Sequence, residues 1–125
     1  MVKKSKGQLE LFCVGALFLL VACSNLQTPA TADVAVSKAA VENAADAGAA
    51  QYAPAELGSA REKLALANKA MAAKEYKLAA DFANQAQADA KLAQAKATSA
   101  KAQMAADALQ DDIRVLRDEL NRSNP

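Results

Sequence analysis

Taken at every third and fourth place, residues 76–104 give Tyr76, Ala79, Ala83, Ala86, Ala90, Ala93, Ala97, Ala100 and Met104, with alanine at seven of nine positions. That alternation lines up all nine side chains along one face of an α-helix. Alanine has the highest helix propensity and the smallest side chain that can line a packed face. Another helix can therefore approach it near the short end of the roughly 8 to 10 Å range. A chain with such a stripe is committed to helix-on-helix packing before anything else about it is known.

Composition agrees. About a quarter of the 125 residues are alanine, there are four Gly and three Pro, and Trp and His are absent. Strand-forming β-branched and aromatic residues are scarce after residue 30, so the fold class is all-α. The expected form is elongated, either an antiparallel helical hairpin or a three-helix, coiled-coil-like arrangement with a long C-terminal helix. Charge is balanced, with 15 Lys plus Arg against 14 Asp plus Glu, and no basic cluster suggests nucleic acid as a partner.

The first 22 residues have a different character. Lys3, Lys4 and Lys6 precede an apolar run over residues 11–22, followed by small residues. This is the pattern of an export signal, and the run is too short for the roughly 20 residues of a spanning helix. Leu20, Val21, Ala22 and Cys23 then resemble the lipobox of bacterial lipoproteins. That resemblance implies cleavage between Ala22 and Cys23, diacylglyceryl attachment to the Cys23 sulfur and acylation of the new amino terminus. A thiolate is the nucleophile suited to forming the thioether. Cys13 lies inside the apolar run and leaves with the signal. Ser24 follows Cys23 where the family pattern would place Asp for retention at the inner membrane, so the resemblance implies the outer membrane, facing the periplasm. Residues 23–31 read as the lipidated cysteine and a short polar tether.

Residues 32–125 form the expected helical domain, with helices over about 33–51, 54–73 and 75–121. Thr31 or Asp33 is a suitable cap for the first, whose weak seam is Val34, Ser37, Val41, Ala44 and Gly48. It should end or bend near residues 51–53, because Pro54 disfavours helix at Ala53 and suits the first position of a new helix. The second seam is Leu57, Ala60, Leu64, Ala67 and Met71. Residues 74–79 are similar to the turn between paired helices of tetratricopeptide repeats, without that family's glycine, and the chain is expected to reverse there. A hairpin folded at Lys74 would set Leu57 opposite the Ala90 region and Val34 opposite the Ile113 region.

Beyond Met104 the rhythm slips. Asp107 and Asp111 take the old places while Leu109, Ile113, Leu116 and Leu120 start a new seam. Two uses are open for it: packing on the protein's own first helix, or docking another subunit or envelope protein. Leu78, Phe82 and Leu92 widen the alanine face elsewhere on the same helix.

No catalytic set emerges: there is no His, no thiol remains after lipidation at Cys23, and no phosphate-binding glycine loop is present. Enzyme activity, cofactors and metals are not expected; Asp107, Asp111 and Asp112 read as a solvated face. Residues 52–101 look like an alanine-rich domain of unknown function from envelope lipoproteins of Gram-negative bacteria. The matching residues are Ala53, Pro54, Ala55, Glu56 and Leu57, then Ala60, Arg61, Glu62, Lys63 and Leu64, with Tyr76 and the spaced Ala79, Ala83, Ala86 and Ala90. The resemblance implies location and helical form but no activity. The expectation is a lipid-anchored lipoprotein with a structural or protein-interaction role, its partners membrane lipid and an envelope protein or peptidoglycan, with oligomers possible. A murein-lipoprotein-like trimer is one variant, although Asn121 to Pro125 lacks the C-terminal lysine those proteins attach to the wall and Pro54 interrupts a single rod. The alternative is a binding module or chaperone-like carrier, holding a hydrophobic ligand or client on the face around Leu78, Phe82 and Leu92.

Overall fold

The computed structural model describes residues 26–124; the signal segment, Ala22 and Cys23 lie outside them. Four helices follow in order: α1 Gln27–Asp46, α2 Ala49–Tyr52, α3 Pro54–Ala72 and α4 Tyr76–Ser123. There is no strand among the described residues. The helices run up, down and up. Ala30 at the start of α1 meets Ala70 and Ala79 at the base, while Val41 and Ala44 near its end share a cluster with Leu57, Ala60, Ala90, Ala93 and Ala97. Both α1 and α3 lie extensively against α4 and only slightly against each other. The long helix is therefore the spine of a three-helix bundle.

The core is built almost wholly from alanine, with the stripe of α4 at its centre. Of the 15 buried hydrophobic residues among those described, only Val41 and Leu57 are not alanine. On α4 the buried residues are Ala79, Ala83, Ala86, Ala90, Ala93 and Ala97. A buried alanine methyl supplies far less than the about 1.5 to 3 kcal/mol of a buried leucine, so helix propensity and close approach carry most of the cohesion. Ser37 is the one buried polar residue among those described, and its hydroxyl donates to the Val34 carbonyl at 2.9 Å. That bond within the helix lets a small polar residue stand at a close crossing without an unmet donor.

The course of the first helix corrects two expectations. It starts at Gln27, not near Thr31 or Asp33, so part of the expected tether is already helical. Pro29 falls in the first turn, where its missing N–H has no intrahelical partner to lose, and Thr31 donates its hydroxyl to the Gln27 carbonyl at 2.8 Å. Its far end breaks at Gly48, ahead of the expected 51–53. Gly48 adopts φ +89°, a left-handed conformation that glycine reaches without a Cβ penalty. After one turn of α2, Ala53 at φ −148° and ψ 53° breaks the helix again and Pro54 opens α3 as expected. These two breaks reverse the chain, so α1 folds back beside α3. Leu57 does sit by Ala90 and Ala93, but Val34 lies on the lower half of the bundle and never faces Ile113.

The second reversal is at Lys74. The Glu75 N–H donates to the Ala70 carbonyl at 2.9 Å and the Lys74 N–H to the Met71 carbonyl at 3.0 Å, closing the end of α3 in a Schellman motif. Lys74 has φ 61° and occupies the left-handed position that glycine usually fills. The chain thus reverses where the sequence placed the turn, at a cost of about 1 kcal/mol for a residue with a Cβ.

Ion pairs fasten α3 to α4. Asp89 accepts from Lys63 and from the Ser59 hydroxyl, both at 2.7 Å. Lys96 pairs with Glu56 farther up the bundle. The Lys63 ammonium, helped by Ser59, holds the Asp89 carboxyl below its ordinary range, and Lys96 does the same for Glu56. At the top of the bundle the Lys101 ammonium stands 5.9 Å from the centre of the Tyr52 ring.

Candidate interaction surface

The bundle stops where α1 turns at Gly48, but α4 does not. Every residue from 101 to 124 is exposed, and beyond Lys101, which still reaches Tyr52, α4 runs on as a single helical arm of about 33 Å clear of the other described elements. A free helix of this length is marginal on its own. Here nucleation has already been met within the bundle, and helix-forming residues such as Ala, Leu, Gln and Arg propagate it.

On this arm lie four large apolar side chains on one face, more closely grouped than the exposed Leu26, Leu78 and Leu92 elsewhere. Leu109 is 60% exposed, Ile113 41%, Leu116 61% and Leu120 65%. The sequence seam is real as a geometric feature, because the helix is continuous through it and the four residues share one face. Packing on the protein's own first helix is excluded among the described residues, since α1 ends alongside the region of Ala97 and Lys101. The slip after Met104 therefore marks the end of the intramolecular contact. At about 100° per residue, the face carrying Leu109, Ile113, Leu116 and Leu120 is turned by roughly 130° from the face carrying the buried alanines. It looks away from α1 and α3.

Met104 and Val115 are also exposed on the arm, at 57% and 55%, but on other faces. Polar groups surround the seam. Arg114 pairs with Asp111 at 3.2 Å along the helix, whereas Asp112 and Arg117 have no ion-pair partner among the described residues. Their arrangement on opposite edges of the seam, Asp112 and Glu119 on one side and Arg117 on the other, follows once the helix is known to be unbroken.

The second candidate face is divided. Leu78 and Phe82 join Leu66, Lys69, Ala70, Ala73 and Glu75 around an open depression of about 320 Å³ near the base. Leu92 does not line it, standing about 21 Å farther along α4. Among the described residues, no group of three or more His, Cys, Asp or Glu is placed to hold a metal ion, and no helix is long and apolar enough to cross a membrane.

Residues 32–109, more than half of the chain, match the family model described as a domain of unknown function, DUF4398. That match takes in the whole bundle above its base and stops at the first residue of the exposed seam. No curated protein and no solved structure matches the chain.

Proposed function

The chain belongs to the DUF4398 family, and from that footing we propose that it is a lipid-anchored lipoprotein of the bacterial outer membrane, facing the periplasm, that presents a docking helix at a distance from the bilayer. The observation that carries this reading is the exposed Leu109, Ile113, Leu116 and Leu120 seam on an arm that no other described helix packs against. Large apolar side chains placed on one face of a solvent-exposed helix lose the stabilisation that burial would give, and a partner restores it. A three-four seam is complementary to another helix, which favours a protein over a polysaccharide as the thing bound.

The polarity of the bundle supports the anchoring part. Leu26 stands beside Lys74, Glu75 and Tyr76 at the base, and the arm leaves from the opposite end. An acylated Cys23 lies only three residues before Leu26, so a lipid tether would hold the base near the leaflet. The tip of α4, 48 residues from its start, would then stand up to about 70 Å away. Several acyl chains at one cysteine supply the stable attachment that one chain does not. The carrier reading gains less, because its apolar residues fall into an open depression and a separate Leu92.

Two measurements test the proposal. Palmitate labelling of the full chain should disappear in Cys23→Ala, and labelling that persists there overturns the anchoring. A photo-cross-linking residue at position 116, used in intact cells, should give defined protein adducts, while the same residue at exposed Ala95 on the bundle should give few. Equal adducts at both places would remove the arm as the docking surface.

A further inference from the structure

We propose that the occupant of the seam is a second copy of this chain, joined arm to arm in a parallel, in-register two-stranded coiled coil. The inference rests on the arm being a docking surface and adds the partner and its orientation. The 4-3-4 spacing makes Ile113 and Leu120 positions a of a heptad, and Leu109 and Leu116 positions d. Of the two a positions Ile113 is β-branched, and with leucine at both d positions it supplies one layer of the combination that favours two parallel strands. Above Leu120 the next d position is Ser123, which ends the apolar contact, while below Leu109 the seam tapers into the small residues Ala106 at a and Ala102 at d.

The charges choose the direction. Asp112 and Glu119 occupy position g, Gln110 and Arg117 position e. In a parallel pair each g residue faces the e residue five places on in the other strand, which sets Asp112 against Arg117 of the second copy, twice by symmetry. An antiparallel pair that covers the same four apolar residues brings g against g, and so sets Asp112 against Glu119, also twice. Attraction in one arrangement is replaced by like-charge repulsion in the other. Neither Asp112 nor Arg117 has an ion-pair partner among the described residues of its own chain, so both can enter this pairing. The geometry also leaves room. Because the seam is turned by roughly 130° from the alanine face, the bundles of two parallel copies splay outward from the shared axis and do not meet. Copies anchored by the same end in one leaflet already point the same way, which raises their effective concentration for this contact.

The test uses the full chain in membranes, with a reporter cysteine at the upper d position, Ser123→Cys, and mild oxidation. A disulfide-linked dimer is expected from Ser123→Cys and not from Asp118→Cys on the far face, relative to the chain without an added cysteine. Adding Asp112→Arg should lower the linked fraction roughly tenfold, and adding Arg117→Asp to that variant should restore it. Circular dichroism should show equal helix content throughout, since none of these residues is buried. Linking in Asp118→Cys as strong as in Ser123→Cys, or an increase on Asp112→Arg, overturns the parallel dimer. If the seam cross-links in cells to a different protein while Ser123→Cys gives no dimer, the second copy is wrong and the docking surface stands.

Discussion

The two halves of α4 belong to one continuous helix and treat apolar side chains in opposite ways. Over residues 76–100 the helix is clasped by α1 and α3, and the fully buried side chains turned inward are alanines that are 0% exposed. Over residues 102–123 no other described element covers it, and the side chains on its apolar face are leucine and isoleucine at 41% to 65% exposure. A protein selected only for a stable fold would do the reverse, because burying a leucine stabilises several times more than burying a methyl group. The lower half puts close approach ahead of burial energy, and the upper half leaves its large side chains uncovered by any other described element, as the proposed docking contact requires.

That contrast is easiest to break at its one exception. Leu57 is the only large apolar residue almost fully buried among those described, and Leu57→Ala should destabilise the bundle by about 2 to 5 kcal/mol in chemical denaturation. A loss below about 1 kcal/mol would mean that the alanine core collapses around the gap. Ala86→Leu, adding volume where helices touch, should cost about 1 to 3 kcal/mol, visible as a lower melting temperature. An unchanged or raised melting temperature would show that the stripe is not closely packed.

Lys74→Gly tests the turn that brings α4 back along α3. Removing the Cβ at φ 61° should raise stability by about 0.5 to 1 kcal/mol, the reverse of the usual effect of glycine. Acid should weaken the α3–α4 contact. Asp89 and Glu56 have lowered pKa values in the fold, so the stability they add is present above their unfolded pKa values and is lost as pH falls through the folded ones. Melting curves below about pH 4 should therefore shift downward, and Asp89→Asn should flatten that shift. The smallest effect belongs to the arm. At concentrations too low for association, Leu116→Ala should leave the unfolding of the bundle within about 0.5 kcal/mol of the parent chain, because that side chain has no contact to lose.

Much of this was legible in the chain. The spacing of Ala79 through Ala97 gives the buried face of α4 residue by residue, and Pro54 and the 74–76 turn mark two helix boundaries correctly. The break at Gly48 was harder to see, since a glycine in a helical seam reads equally as a small packing residue, and Pro54 a few residues later drew the boundary to itself. The start of α1 was hidden for a related reason: Thr28, Pro29 and Thr31 resemble a polar linker, yet the packing of Ala30 on Ala70 and Ala79 stabilises a helix through them.

The seam at Leu109, Ile113, Leu116 and Leu120 was equally visible, but its state was not. Periodicity along a chain states which side chains share a face; it carries no information about whether another segment reaches that face. By itself the sequence determined the helices, their apolar stripes and the change of register after Met104, because these follow from local propensity and spacing. Only the tertiary structure decided that α1 folds back instead of running on, leaving the upper part of α4 bare, because that outcome depends on two backbone reversals, at Gly48 and Ala53, whose combined direction is a property of the assembled bundle.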